Sequence, residues 1–232
     1  MAGRSREHPG AAPGAGIIIM KKYRKDYGTV GSRNYVSKRK LAKHVAEMRM
    51  IDRVFAKIPK THRVLDCPCG GGRLAVHLAQ KGYRVTGADV TEEMVNLART
   101  NMAEHQLACV IENKDLEKLA YPDRAFDTII CFRLFHHFSE PEQRRLVIGE
   151  LCRASARFVA LSYFSPLSYT SLHRKIRAAL GGKKSEKWAT SLEELAGYFG
   201  AHGFRLVKDF AQVPLLHTLH VALYERVEQP AK

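Results

Sequence analysis

The residues best suited to chemistry stand together, where a carboxylate precedes three consecutive glycines. Asp66 ends a short apolar run, Pro68 breaks it, and Gly70, Gly71 and Gly72 follow before a helical pattern begins. Because glycine has no Cβ, a ligand can approach bare backbone at such a turn. The unpaired N–H groups that open the following helix also point toward it. This stretch predicts a nucleotide-binding turn between a buried strand and a helix.

Two kinds of ligand fit this turn. Gly70, Gly72 and Ala75 match the G-x-G-x-x-G/A dinucleotide fingerprint, and Asp89 ends the next strand, where a ribose-binding acid is expected. A pyrophosphate close to the turn would, however, meet the like charge of Asp66. A carboxylate there suits a ligand that carries positive charge, such as the ammonium and sulfonium groups of S-adenosylmethionine. The residues before the glycines therefore favour the second ligand.

A pair of histidines is the second candidate for chemistry. His136 and His137 follow an apolar strand that ends near Phe132. A histidine can accept the proton that a hydroxyl nucleophile must lose. We predict that one of the two is a catalytic base; alternatively, the pair caps the next helix and packs beneath the cofactor.

The elements that must position these residues alternate along the chain. Apolar periodicity predicts an α/β fold with a mainly parallel sheet that is covered by helices on both faces. The predicted strands are 63–66, 84–88, 108–112, 126–132, 157–163, 204–211 and 218–225. The predicted helices are 38–58, 72–81, 91–105, 141–152 and 191–201, and a further short helix lies within 165–190.

With these elements in place, the glycine turn resembles that of the class I S-adenosylmethionine-dependent methyltransferases. Their motif is roughly V-L-D-x-G-x-G-x-G, and this chain has VLDCPCGGG, with Pro68 in place of the first glycine. The resemblance continues through GADVTEEM, NKDLEKL, FDTIICFRLFHHF and RFVALSYFS, and covers roughly residues 60–225. It implies a Rossmann-like sheet of seven strands whose final strand is antiparallel, and S-adenosyl-L-methionine as the cofactor.

The resemblance also assigns site residues. It places Asp66 near the methionine ammonium and lets the cofactor cross the turn at Gly70 and Gly72. Asp89 takes both ribose hydroxyls through its two oxygens, a bidentate, charge-assisted arrangement. Asp89 could instead cap the following helix, although Thr91 is better placed to do so.

Further contacts are implied at the two ends of the cofactor. The carboxylate of Asp115 matches a contact to the adenine amino group, with the Leu116 N–H near a ring nitrogen. Arg133 borders the methionine part at the end of strand four. The remaining cofactor-binding predictions are Cys67, Val90 and Met94, of which the last two supply apolar contact to adenine.

The acceptor is predicted only as a class. The end of strand four lacks the N-P-P-Y block of enzymes that methylate amino groups of adenine or glutamine, and resembles enzymes acting on small molecules, quinones, sugars or lipids. We expect methyl transfer, at oxygen, to a small or lipid- or sugar-linked anionic acceptor bordered by Tyr163, His173 and Arg174. An RNA methyltransferase and a cofactor-binding protein without catalysis are the alternatives.

Charge distribution bears on the partner. The formal net charge is +15, and residues 21–43 hold nine Lys or Arg against one acid. A second basic block covers 174–187. Such charge attracts nucleic acid, acidic lipid headgroups or anionic substrates. The insertion at about 165–190 contains an amphipathic basic helix, predicted to form a lid over the substrate or to lie on an anionic membrane.

Composition sets the remaining expectations. We expect a disordered tail over 1–20, a basic arm and helix over 21–58, and a methyltransferase domain over 59–232. No run of residues approaches the ~20 apolar positions that span a bilayer. The five scattered cysteines favour reduced thiols, and Cys67-x-Cys69 is too short for a zinc site, so no metal is predicted. These features indicate a cytoplasmic protein, with peripheral contact at the inner membrane surface as an option.

Overall fold

The computed structural model describes residues 41–181, 187–213 and 218–227. The predicted tail over 1–20 and most of the basic arm lie outside the described residues, and so does part of the insertion.

A seven-stranded sheet forms the framework, with the strand order β3-β2-β1-β4-β5-β7-β6. Within the described sheet, β7 alone runs opposite to the other six strands, which matches the expected class I methyltransferase arrangement. The strands are β1 Arg63–Asp66, β2 Arg84–Asp89, β3 Val110–Asn113, β4 Phe126–Cys131, β5 Ser155–Phe164, β6 Phe204–Ala211 and β7 Leu219–Arg226. Since the parallel strands run in one direction, their carboxyl ends meet at one edge, where α/β folds bind ligands.

Helices cover both faces of the sheet. They are α1 Leu41–Phe55, α2 Arg73–Gln80, α3 Glu92–Glu104, α4 Pro141–Ala154, α5 Tyr169–Ala179 and α6 Leu192–Gly200. Alternate strand residues enter two separate apolar clusters. Val64 and Ile130 pack with α1, α2 and α3, whereas Leu65 and Ile129 pack with α4 and α6. Each central strand is therefore buried on both sides, as the continuous apolar runs of the sequence predicted.

Helix α1 ends three residues before the predicted limit at 58. The hydroxyl of Tyr83 donates to the backbone oxygens of Phe55 (2.8 Å) and Ile58 (3.2 Å). The Phe55 oxygen also accepts from Ile58 N–H (3.0 Å), so the last carbonyl groups of the helix, which lack the usual helical partners, are satisfied. The chain can therefore leave α1 at this point and turn into β1.

The predicted short helix of the insertion exists as α5. Ile176 is 50% exposed and Leu180, just after the helix, is 83% exposed. This part of the predicted apolar face is therefore not packed against the sheet. Among the described residues, no helix has both the length and the apolar character that crossing a membrane would require.

Candidate active site

The glycine turn is anchored to strands on either side of β1. Cys67 N–H donates to the backbone oxygen of Ile130 on β4 (3.0 Å), and Cys69 N–H donates to that of Ala88 on β2 (2.8 Å). Gly72 has φ 80°, and a Cβ there would lie 3.0 Å from the Ala98 Cβ of α3. Both the left-handed backbone and the close helix therefore favour glycine at this position.

Asp66 is a buried carboxylate at the end of β1. It is fully buried, and neither of its oxygens has a hydrogen-bond partner within the described residues. Burial raises the pKa of this carboxyl well above its ordinary value, and the neighbouring Asp89 adds to that rise. The Arg73 guanidinium acts in the opposite direction, and so does the nearby Ala75 N–H, although its geometry falls short of a hydrogen bond. A cation that entered here would stabilise the ionised carboxylate, because it would supply the counter-charge that the protein supplies only in part.

Asp89 links the glycine turn to the start of α3. One carboxylate oxygen accepts a hydrogen bond from Gly70 N–H (2.9 Å), and the other accepts from the N–H (3.0 Å) and hydroxyl (2.9 Å) of Thr91. Burial raises the pKa of this carboxyl, while these bonds lower it. A carboxylate oxygen has about two acceptor sites. The oxygen facing Gly70 therefore keeps one for a ribose hydroxyl, whereas a second hydroxyl would have to replace the one from Thr91.

The predicted adenine contacts surround the ends of β2 and β3. Met94 and Leu116 are buried, and Val90 is half-buried. β3 ends at Asn113, so Asp115 lies in the turn after the strand. One of its carboxylate oxygens accepts a hydrogen bond from Glu117 N–H (3.0 Å). An apolar wall and a turn carboxylate thus stand at the edge where adenine was predicted; the contacts themselves stay predictions.

Arg133 follows β4 in the left-handed backbone region, with φ 64°. Its N–H donates to the Ser162 hydroxyl (2.5 Å), which ties the turn to β5. Its guanidinium contacts a carboxylate oxygen of Glu47 (2.8 Å), and Arg73 contacts the other oxygen (3.1 Å). Glu47 is fully buried, so helix α1 contributes a carboxylate that joins the turn after β1 to the turn after β4.

Sequence reasoning did not single out Glu47. The signal was present, because Glu47 occupies the same helical face as the core residues Ile51 and Val54. An acid in an apolar stripe rarely becomes fully buried unless it is paired.

The two predicted catalytic histidines lie in the short 3₁₀ helix Phe135–His137. The His136 ring is buried and stacks on Phe164 at 4.0 Å, and the His137 ring lies 4.3 Å from it. Trp188 N–H donates to the backbone oxygen of His136 (2.8 Å). The pair stands at the correct sheet edge, and its catalytic role remains a prediction.

The three predicted substrate residues are not gathered in one place. Tyr163 is buried and lines an open cavity of about 810 Å³ at the ends of β5 and β6. His173 is exposed on α5, its ring 6.3 Å from that of Tyr169, and does not line that cavity. The side chain of Arg174 lies outside the described residues. Of the three, only Tyr163 therefore borders a described cavity.

A profile of the family described as "Methyltransferase domain" matches residues 64–156. This range covers the glycine turn, Asp89, Asp115 and the end of β4.

Residues 64–156, less than half of the chain, are thus similar to the methyltransferase-domain family.

Curated relatives match part of the chain. Ubiquinone biosynthesis O-methyltransferase of Coxiella burnetii is 36% identical over 84 residues, which are 36% of this chain and 36% of that protein. Demethylmenaquinone methyltransferase of Deinococcus radiodurans is 32% identical over 108 residues, 46% and 45% of the two chains. The aligned part thus spans less than half the length of either relative.

A solved structure extends the likeness in fold to most of the chain. Magnesium protoporphyrin IX methyltransferase from Synechocystis PCC 6803, solved with bound SAH, superimposes with a TM-score of 0.76 at 20% identity. The match covers 90% of this chain and 100% of that chain. At this identity, the likeness shows that the two proteins share a fold.

Proposed function

We propose that this protein is an S-adenosylmethionine-dependent methyltransferase that acts on a small-molecule acceptor, at oxygen. The observation that carries the proposal is Asp66, a buried carboxylate without a hydrogen-bond partner among the described residues, set directly before the glycine turn. A buried carboxylate is costly unless it meets a cation. S-adenosylmethionine carries an ammonium and a sulfonium, whereas a dinucleotide would bring phosphates.

The other residues of the edge fit the remaining parts of that cofactor. The free acceptor site of Asp89 suits a ribose hydroxyl, and Met94 and Leu116 offer an apolar wall for adenine. Glu47 holds the guanidinium of Arg133 beside the turn after β4, where it suits the carboxylate of the methionine moiety. The bound cofactor supplies an electrophilic methyl group; the protein aligns the acceptor with it and excludes water.

The acceptor assignment rests on chemistry and on the named relatives. Two curated relatives are named for ubiquinone biosynthesis and for demethylmenaquinone, both small molecules. By analogy we assign a small-molecule acceptor here, and the high positive charge favours an anionic or lipid-linked one. A positive surface would also allow peripheral contact with anionic lipid. The candidates for the catalytic base are His136 and His137, at the end of β4.

Calorimetry tests the cofactor half of this proposal. We expect S-adenosylhomocysteine to bind with a Kd in the micromolar range, about −8 kcal/mol, and NAD to show no heat of binding. Binding of NAD without binding of S-adenosylhomocysteine would refute the proposal.

Transfer of a tritiated methyl group to fractionated cell extract tests the acceptor half. We expect label in the small-molecule or lipid fraction and none in RNA. Label confined to RNA would instead support the nucleic-acid alternative, in which the basic residues contact phosphates.

A further inference from the structure

Helix α5 presents apolar side chains to solvent. Tyr169, Ile176 and Leu180 are 63%, 50% and 83% exposed. They stand seven and four positions apart, and residues at these spacings share one face of a helix. Leu180 continues this face beyond the last residue of α5, because its N–H donates to the backbone oxygen of Ile176 (3.0 Å). We call these three residues the outer stripe.

The opposite face of α5 is attached to the domain by a polar residue. Ser171 lies about 200° around the helix from Tyr169, at the helical rotation of about 100° per residue. It is 5% exposed, and its hydroxyl donates to the backbone oxygen of Ser165 (2.8 Å). A helix that packs on its own core turns its apolar face inward. The pattern of α5 is inverted, so the packing of the domain does not explain the outer stripe.

The same segment of the chain holds further exposed apolar residues. Leu167, just before α5, is 80% exposed, and Trp188 is 50% exposed. Among the described residues, twelve large apolar side chains are exposed, and five of them lie between positions 167 and 188. Single apolar residues are normal on a protein surface, whereas a concentration of them marks an interaction site.

Positive charge accompanies these apolar residues. Residues 165–188 hold six Lys or Arg and one acid, Glu186, and the sequence of α5 has no acid. Arg177 is exposed and directly follows Ile176 of the outer stripe. An apolar stripe bordered by cations is typical of helices that lie in the interface of an anionic bilayer. Tyrosine and tryptophan side chains, here Tyr169 and Trp188, favour the same depth.

The charge also selects among the partners that could cover the outer stripe. A second copy of the chain would bring the same basic block against itself, and residues 21–43 would bring nine Lys or Arg against one acid. Like charges that face each other across an interface repel. An anionic lipid surface attracts the cations, and its acyl boundary receives the apolar side chains.

We propose that α5 is a membrane-docking helix that places the outer stripe in the interfacial region of an anionic lipid bilayer. The helix lies along the surface, because the exposed residues form a stripe on one side only. The inference deepens the lipid contact named in the proposed function, and its consequence for catalysis rests on that function.

The docked helix lies beside the candidate active site. β5 ends at Phe164, whose ring stacks on that of His136 (4.0 Å), and α5 begins five residues later. At the other end of the insertion, Trp188 N–H donates to the backbone oxygen of His136 (2.8 Å). Both ends of the insertion are therefore fixed next to the 3₁₀ helix that carries the two histidines. An acceptor dissolved in the bilayer reaches this edge of the sheet without first entering water.

The binding test uses the fluorescence of the full chain. Trp188 is the only tryptophan in the sequence, so its emission reports on the insertion. The protein is titrated with vesicles of phosphatidylcholine that contain phosphatidylglycerol. We expect a blue shift of the emission and quenching by lipids that are brominated on their acyl chains. Vesicles of phosphatidylcholine alone should bind at least tenfold more weakly, about 1.4 kcal/mol, and added salt should weaken binding to the anionic vesicles.

A double variant removes most of the outer stripe. Ile176→Ser/Leu180→Ser should bind the anionic vesicles at least tenfold more weakly, because two aliphatic side chains no longer leave water on docking. Val110→Ser/Leu146→Ser is the matched control, since these residues are 60% and 50% exposed and lie outside the insertion. The control should bind vesicles as the unmodified protein does.

Affinity for S-adenosylhomocysteine, measured by calorimetry without lipid, separates this inference from the proposed function. It should be the same in both double variants and in the unmodified protein. Loss of vesicle binding with intact cofactor binding in the unmodified protein overturns the docking role alone. Equal vesicle binding by the stripe variant and the control also overturns it. So does a dimer, seen in sedimentation velocity, that the stripe variant alone dissociates, or a Trp188 emission shift that RNA causes and vesicles do not.

Discussion

Replacing Asp66 by asparagine should stabilise the cofactor-free protein while weakening cofactor binding. The carboxylate is fully buried and lacks a hydrogen-bond partner among the described residues. Asparagine has nearly the same shape but cannot carry the charge that burial disfavours. If Asp66 serves cofactor binding and destabilises the cofactor-free protein, its replacement should raise stability and lower affinity for the cofactor.

The magnitude follows from the difference between two unpaired buried groups: a neutral one, which asparagine still is, costs about 1–3 kcal/mol, and a charged one costs more. We take ~2 kcal/mol as the gain in the free energy of unfolding near neutral pH. For a domain of 150–250 residues this corresponds to a rise in Tm of about 4–8 °C. Loss of the ion pair to the cofactor ammonium should cost at least tenfold in affinity for S-adenosylhomocysteine, about 1.4 kcal/mol.

The gain must also depend on pH. The folded pKa of Asp66 is raised well above the ordinary value of 3.8, so between the two pKa values the folded state holds a proton that the unfolded state has released. The original protein therefore loses stability as pH rises above about 4, until the folded pKa is passed. The asparagine of the Asp66→Asn variant has no such proton to release. The advantage of the variant should vanish near pH ~4 and grow toward neutrality in thermal melts.

Asp127→Asn is the matched control. Asp127 accepts hydrogen bonds from the backbone N–H (2.8 Å) and guanidinium (3.1 Å) of Arg63. Burial alone would raise the pKa of Asp127, but the bonds from Arg63 lower it overall. Its replacement should leave Tm unchanged or lower it. If Asp66→Asn behaves like this control, with undiminished affinity for S-adenosylhomocysteine, Asp66 is not the receptor for a cation.

Three further changes test other parts of the site. Asp89→Ala removes acceptors of three internal hydrogen bonds and a ribose contact, and should weaken S-adenosylhomocysteine binding at least tenfold, about 1.4 kcal/mol by calorimetry; unchanged affinity would exclude the ribose role. Glu47→Gln breaks a buried pair with two arginines and should lower the free energy of unfolding in urea by about 3 kcal/mol; an unchanged midpoint would mean the cluster contributes nothing to the fold. Gly72→Ala places an alanine in the left-handed region against Ala98 and should lower the free energy of unfolding by about 1–2 kcal/mol. An unchanged Tm in a thermal melt would contradict this.

The order of elements and the glycine turn could be predicted because local patterns determine them. Asp66 precedes the glycines directly, and the alternation of apolar runs predicted all seven strands within a few residues. The hydrogen bond that His220 Nδ1 donates to Asp209 (2.6 Å) could not be predicted in this way. Its partners lie eleven residues apart on two strands, and only the antiparallel register of β6 and β7 brings them together. Glu47 and Arg133 are separated by 86 positions, so their contact depends on where α1 packs.

The buried carboxylate of Glu47 links two equilibria, the docking of helix α1 on the domain and the binding of the cofactor. Glu47 holds the turns after β1 and β4 together, and the methyl donor is proposed to lie between those turns. Energetic coupling between two sites is reciprocal. Any partner that strengthens the docking of α1 should therefore tighten cofactor binding by the same factor by which the cofactor tightens that partner. Helix α1 would then transmit the effect of such a partner to the cofactor site.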